Sequence, residues 1–269
     1  MSIFEEDVKT SSHTLVIWAV VLLVLVGIGW GVWSMLQKDT LDRVTLCPSK
    51  GPVAQYVVLI DNTSPFSFNE KAALSQRIKS LVINDLPVGA LISVFLLDED
   101  YKQHDTPLFE RCKPTQWQDD MKFLSSKRLV GKDYAEKFDK PLDAVIQHIS
   151  LDEKAKTSPI FEMLQLVGIK AFEHSNVQGN KQLVIFSDMV ANEASFSMYR
   201  STLPSYKEFA NTPYGRKSTA MTLRGVNVTI NMLTAEPNAA PYGKRSDFWA
   251  HYFEANQAKL DSVNPMEGL

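Results

Sequence analysis

Two cysteines and five histidines in 269 residues leave little for soft-metal chemistry. Two thiols cannot build a zinc cluster. The histidines, at 13, 104, 148, 174 and 251, show no H-E-x-x-H and no paired spacing. Charge of either sign is not in excess. Lys and Arg number 28 against 31 Asp and Glu, a formal net charge of −3, so there is no electrostatic case for nucleic acid. Gly131-Lys132 runs into Asp133 and lacks the earlier glycine of a P-loop, and no G-x-S-x-G elbow exists. No period of some 20–50 residues repeats and no low-complexity tract appears.

What is present begins with one long apolar run. Residues 15–36, LVIWAVVLLVLVGIGWGVWSML, carry no charge and only Ser34 as a polar side chain. At about 1.5 Å per residue a helix of that length covers roughly 33 Å, enough for the hydrocarbon core of a bilayer. Trp18 near one end, and Trp30 and Trp33 near the other, stand where interfacial aromatics stand. The tail before it, residues 1–14, sets Glu5, Glu6 and Asp7 against Lys9 and so lacks the basic start of a cleaved signal peptide. The apolar run also continues past Gly29 and Gly31. The expectation is an uncleaved transmembrane anchor. Gly27 and Gly31 form a G-x-x-x-G pair, which predicts helix pairing and a homo-oligomer through this helix, although glycine is also simply frequent in membrane helices.

Two signals compete over sidedness. Lys38, Arg43 and Lys50 after the run outnumber Lys9 before it, which favours a cytoplasmic C-terminal part. Cys47 and Cys112, each followed closely by a proline, form an even pair, which favours a disulfide in an exported domain. Such a bridge would stabilise by about 4 kcal/mol on chain-entropy grounds; the alternative is two buried thiols. Long domains translocate with little regard to flanking charge. The reading is therefore a single-pass protein of the bacterial inner membrane with its C-terminal domain extracytoplasmic, and a cytoplasmic domain is the alternative.

Residues 37–54, with Pro48, Gly51 and Pro52, read as a linker, and 55–269 as one domain. Residues 55–61 form a strand. Ser67 to Glu70 is a capping box that starts a helix with Leu74, Ile78, Leu81 and Val82 on its apolar face. Residues 90–97, ALISVFLL, read as a strand covered on both faces. Within 98–133, TPLFERCKP reads as a short strand, and YKQHD and LSSKRLVGKD as loops. Leu142, Val145, Ile146 and Ile149 mark a helix. Ser158-Pro159 reads as an N-cap with proline at the first helical position. Residues 182–188, QLVIFSD, form a strand. A helical piece at 198–210 is interrupted by Pro204. Residues 226–232 alternate apolar side chains with Asn227, Thr229 and Asn231, a strand with one less hydrophobic face. A last helix begins after Ser246. Strands alternating with helices predict an α/β domain with a doubly wound, mostly parallel sheet and helices on both faces. Ligands bind such sheets outside the carboxyl ends of the strands, where Asp61 and Asp188 both fall.

At these strand ends the chain resembles a von Willebrand factor A (vWA) domain. VVLIDNTSPFS, residues 57–67, stands where that family has a strand and D-x-S-x-S. TSPIFEML, residues 157–164, resembles its GTPLxxAL segment, and IFSDMVAN, residues 185–192, its LLTDGxxN. The resemblance covers roughly 53–260. It implies a Rossmann-like sheet and a metal-ion-dependent adhesion site with Asp61, Thr63, Ser158 and Asp188 as ligands. Pro65 takes the place of the third D-x-S-x-S residue and offers no side-chain oxygen, so the site is degenerate unless Ser64 or Ser67 substitutes. The implied cofactor is Mg²⁺, another divalent cation not being excluded, and the implied partner is a protein that supplies an acidic residue to the cation.

Each of these residues has a plainer role. Asp61 and Asp188 would each cap a local turn, Thr63 would close one, Ser158 would be only an N-cap, and Glu162 a solvated side chain. The function read from the sequence is a membrane-anchored protein-binding module, not an enzyme. One rival is a scaffold subunit of a membrane complex with no metal. The other is a haloacid-dehalogenase-like phosphatase, which also begins with a strand-end aspartate but wants an acidic residue where Thr63 stands.

Overall fold

The apolar run contains no proline and becomes a single helix, α1 (Ser12–Leu36). The computed structural model describes residues 12–36, 40–116, 127–152, 154–173, 176–199 and 202–266. The tail through residue 11, residues 37–39 of the expected linker, the first part of LSSKRLVGKD and His174 lie outside them. Along α1 the described side chains of residues 16–31 are exposed. Among the described residues no helix is long and apolar enough to cross a membrane. The chain divides into two compact units, Met1–Thr40 and Leu41–Leu269.

In the second unit the elements follow as β1 (Gln55–Asp61), α2 (Phe68–Ser80), β2 (Leu91–Leu97), β3 (Phe109–Cys112), α3 (Lys127–Tyr134), α4 (Lys140–His148), α5 (Ile160–Val167) and β4 (Lys181–Ser187). Then come the short β5 (Asn192–Glu193) and β6 (Phe196–Ser197), α6 (Tyr206–Ala210), α7 (Pro213–Lys217), β7 (Val226–Met232), α8 (Tyr242–Ala255) and β8 (Lys259–Pro265). The main sheet has the order β3-β2-β1-β4-β7-β8 and is parallel except for β3 against β2. The mostly parallel α/β expectation therefore holds.

Val57, Leu59 and Ile185 face α5 and α8 in one core, and Phe161 of α5 stacks on Phe209 there at 4.9 Å. Val58, Ile60 and Ile92 face α2 and α4 in the other. With both faces covered, β1 and β2 need unbroken apolar runs rather than alternation.

Several elements differ from the sequence reading. LSSKRLVGKD is helical from Lys127, where Lys132–Glu136 and Lys137–Asp133 pairs one turn apart support α3 and the wide turn after it. The last helix starts at Tyr242 after Pro241, not after Ser246, because proline suits a helix entry. Beyond it β8, KLDSVNP, forms a sixth strand that its polar composition hid. Of the expected piece at 198–210, the helical part is α6, which begins after Pro204 with Ser205 as its N-cap, and a second short helix, α7, starts at Pro213 with Thr212 as its N-cap.

Residues 41–54 are tied to the domain. Cys47 and Cys112 form a disulfide, the Cys112 amide donates to Thr45 O at 2.7 Å, and Asp42 Oδ1 accepts from the Val44 and Thr45 amides.

Candidate functional site

Walking along the sheet, the chain builds outward from β1 in one direction and returns to add β4 on the other side. β1 and β4 are therefore the neighbours at which strand order reverses, and the carboxyl ends of such a pair open a crevice. Asp61 is the last residue of β1, and Asp188 follows the last residue of β4.

Asp61 is fully buried. Its Oδ1 accepts from the Thr63 amide at 2.8 Å and the Thr63 hydroxyl at 2.6 Å, and its Oδ2 accepts from Ser187 Oγ at 2.5 Å. Thr63 Oγ1 also lies 2.8 Å from Ser158 Oγ, across 95 residues of sequence. A threonine has one hydroxyl proton. With that proton on Asp61, Ser158 is the donor of the second bond.

Ser158 is not the N-cap that Ser158-Pro159 suggested. It pairs with Asn192 as an isolated bridge, N–H to O at 2.8 Å and 3.2 Å in the two directions. Pro159 takes the cap position of α5 without a side-chain cap bond. The bridge keeps the Ser158 backbone outside the helix and leaves its hydroxyl to face Thr63.

Asp188 is buried, with Oδ1 accepting from the Val190 amide at 2.9 Å and Oδ2 from Ser64 Oγ at 3.0 Å. Met189 follows with φ 56°, a left-handed conformation that a side chain disfavours. Its amide donates to Ser187 Oγ at 2.7 Å, and its carbonyl accepts from Trp249 Nε1 at 2.8 Å. The Arg245 guanidinium donates to the Asp188 carbonyl and, through Nε, to Ala240 O at 2.9 Å. Two buried side chains of α8 thus hold the turn.

Burial raises the pKa of Asp61. Hydrogen bonds from Ser187 and Thr63 work against it, and the Asp98 charge adds to it. Asp188 is pushed up to about 7, first by burial and then by the Asp61 charge, with the Val190 amide, Ser64 and Arg245 opposing. Tyr199 is pushed up to about 12 by burial and then by Asp188 and Glu236, so it stays a neutral hydroxyl beside Ser64. It lines an opening of about 450 Å³ together with Thr63, Ser64, Ser158, Asn192 and Glu236.

Four residues expected at the site, Asp61, Thr63, Ser158 and Asp188, thus converge, and Ser64 joins them. Ser67 does not. Its hydroxyl is used in the α2 capping box, 2.7 Å from Glu70 Oε2. Ser187, Tyr199, Arg245 and Trp249 are not singled out by the sequence. Ser187, like Asn192, lies within IFSDMVAN, residues 185–192, whereas Tyr199, Arg245 and Trp249 carry no local signal.

The donor set is all oxygen, as a hard cation requires. Neighbouring ligands about 2.0–2.1 Å from an octahedral ion stand about 2.9 Å apart, close to the Thr63–Ser158 separation. Asn62 Oδ1, between Asp61 and Thr63 in sequence, is buried with no hydrogen-bond partner among the described residues. Pro65 leaves the set one oxygen short. Among the described residues no group of three His, Cys, Asp or Glu is placed to hold a metal. The hydroxyl pair and the two carboxylates are oxygen donors of the kind a hard cation takes.

No protein-family model and no curated protein matches the chain. Solved structures resemble it distantly. The SpRpn10 VWA domain is 12% identical over 79% of this chain and 87% of its own, at a TM-score of 0.41. Proximal thread matrix protein 1 from the mussel byssus, solved with a zinc-occupied MIDAS motif, is 11% identical over 81% and 42%, at 0.38. An aerotolerance-related membrane protein from Bacteroides fragilis NCTC 9343 is 12% identical over 66% and 67%, at 0.33.

Proposed function

We propose that the chain is a vWA-like protein-interaction module, anchored in a membrane by residues 15–36, that receives a partner protein at the strand-end crevice. What carries the reading is the contact between Thr63 and Ser158, 2.8 Å apart from opposite parts of the chain, with the buried Asp61 and Asp188 behind them. A structural turn needs one such aspartate; two adjoining buried carboxylates ringed by hydroxyls cost desolvation energy that a bound cation offsets.

Thr63, Ser158, Asp61 and Asp188 would hold that ion, with Mg²⁺ as the first candidate. Bound there, it supplies a position for a carboxylate of the partner. This chain's residues do the rest. Asp61 and Ser187 orient the Thr63 hydroxyl, Ser64 and Arg245 fix the Asp188 turn, and Tyr199 borders the opening. No bond is made or broken. The Cys47–Cys112 disulfide supports an extracytoplasmic placement of the domain, on a single-pass anchor in a bacterial inner membrane. The second reading is a scaffold without metal, and the missing oxygen at Pro65 favours it.

The test is a photocrosslinking amino acid at Asn238, on the rim of the opening, with Asn211, which lines a shallow groove away from it, as comparison. The proposal expects a discrete protein adduct from Asn238 in native membranes that is lost in Thr63→Val/Ser158→Ala. Adducts equal at both positions, or unaffected by the double substitution, would refute it.

A further inference from the structure

The end of the domain opposite the crevice is where its exposed apolar side chains gather. Among the described residues of the second unit nine large apolar side chains are exposed, and six of them lie at the amino ends of the parallel strands. Val53 leads into β1, Ile83 into β2, Ile169 into β4 and Met221 into β7, and Leu41 and Val44 stand on the strap of residues 41–54 before β1. Val44 is 75% exposed and Ile83 64%. The strap belongs to this end. Thr45 O accepts from the amide of Cys112, which pairs with Leu91 at the start of β2. Gln178, just before β4, donates its amide to Pro52 O at 3.1 Å and its side chain to Lys50 O at 2.8 Å. The strap thus crosses from β3 to β4 under the amino ends of β2 and β1. Gly168 backs on Thr222 so closely that a side chain there would collide, which brings the turns of Ile169 and Met221 together. Apolar side chains exposed singly need no explanation, but a set confined to one end marks an interaction surface.

We propose that this end of the domain docks on the surface of a lipid bilayer and turns the crevice away from it. The inference rests on the reading of residues 15–36 as a membrane anchor. Residues 37–40 are then the whole tether. From Leu36 to Leu41 a chain spans at most about 18 Å, so the strap stays within reach of the headgroups whatever path the tether takes. Charge agrees with that placement. The segments entering the strands are close to neutral, with Arg43, Lys50, Lys170 and Arg224 against Asp42, Asp85 and Glu173. The Asp42 carboxylate is occupied by the Val44 and Thr45 amides. The loop leaving β2 at the crevice end instead begins with Asp98, Glu99 and Asp100. A bilayer with anionic headgroups therefore repels the crevice end and not the strap. Apolar side chains beside basic ones suit the interface, where the first enter the acyl boundary and the second stay among the headgroups.

The experiment uses the full chain, labelled at isoleucine methyls, in nanodiscs of phosphatidylethanolamine and phosphatidylglycerol. A lipid with a nitroxide on its acyl chain reports whether Ile28 of the apolar run lies in the bilayer. A lipid with a paramagnetic headgroup reports on the domain. The proposal expects relaxation from that headgroup at least threefold faster at Ile83 and Ile169 than at Ile60 and Ile160, which stand toward the crevice end of β1 and α5. It expects Val44→Asp/Met221→Asp to lower the effect at Ile83 and Ile169 by at least half, with unchanged shifts at Ile60 and Ile160 reporting intact folding. Equal relaxation at all four methyls while Ile28 is relaxed, or an unchanged effect in the double variant, overturns the inference and leaves the anchor standing. Ile28 unrelaxed overturns the anchor reading, and the inference with it. Ile83 shifts that follow the number of chains per disc and not the lipid would give the face to a second copy and overturn the proposal.

Discussion

At the scale of single residues, Met189 shows how the site is held. It is completely buried and left-handed at φ 56°, in the position where the family resemblance has glycine. Left-handed backbone costs a side-chain-bearing residue about 1–2 kcal/mol, and removing a buried methionine side chain costs about 2–5 kcal/mol. Packing outweighs strain, so Met189→Gly destabilises. Met189→Ala loses nearly as much packing and keeps the strain, so it is expected to be less stable than Met189→Gly by about 1 kcal/mol. Urea unfolding of both variants checks this, and the opposite order would contradict the left-handed turn. Glu70 makes a second residue-scale prediction. Burial raises its pKa, but bonds from the Ser67 hydroxyl, the Thr234 amide and the Ser67 amide together outweigh burial and hold it below the usual glutamate range. A depressed folded value means stability that is full above the unfolded pKa of about 4.3 and is lost as pH falls through the folded value. Thermal melts across that window should be less pH-dependent in Glu70→Gln than in wild type.

At the scale of elements, what was legible followed periodicity and punctuation. The capping box at Ser67–Glu70 marked α2, and the apolar runs of β1, β2 and β4 marked buried parallel strands. β8 was not legible because an edge strand buries little, and Lys259, Asp261 and Pro265 are what protects an edge from pairing. Ser158 was misread because its cap-like sequence is overruled by the bridge to Asn192, a contact between segments 34 residues apart that no local pattern encodes. The cysteine pair was legible from parity and proline context. Its bond ties residues 41–54 to β3, and its loss in Cys47→Ser/Cys112→Ser should cost about 4 kcal/mol, read by denaturant unfolding with and without reductant. In intact cells both thiols should resist alkylation until reductant is added; reaction without reductant would place the domain in a reducing compartment.

At the scale of the whole molecule, the strand order decides where the candidate site sits. Asp61 and Asp188 were visible as strand-end carboxylates, but their adjacency follows from β1 lying beside β4, and the strand order alone sets that. Tyr199 and Arg245 reach the same crevice from later in the chain, and only the folded sheet brings them there. The most direct measurement of the claim that these oxygens form a cation site is the melting temperature of the metal-free full chain on addition of Mg²⁺ or Mn²⁺. At about 100 times Kd a ligand adds about 2.7 kcal/mol, which for a domain of this size raises Tm by about 5–10 °C. The account predicts that rise in wild type and its absence in Thr63→Val/Ser158→Ala; an unchanged Tm in wild type, or an equal rise in the double variant, would contradict it.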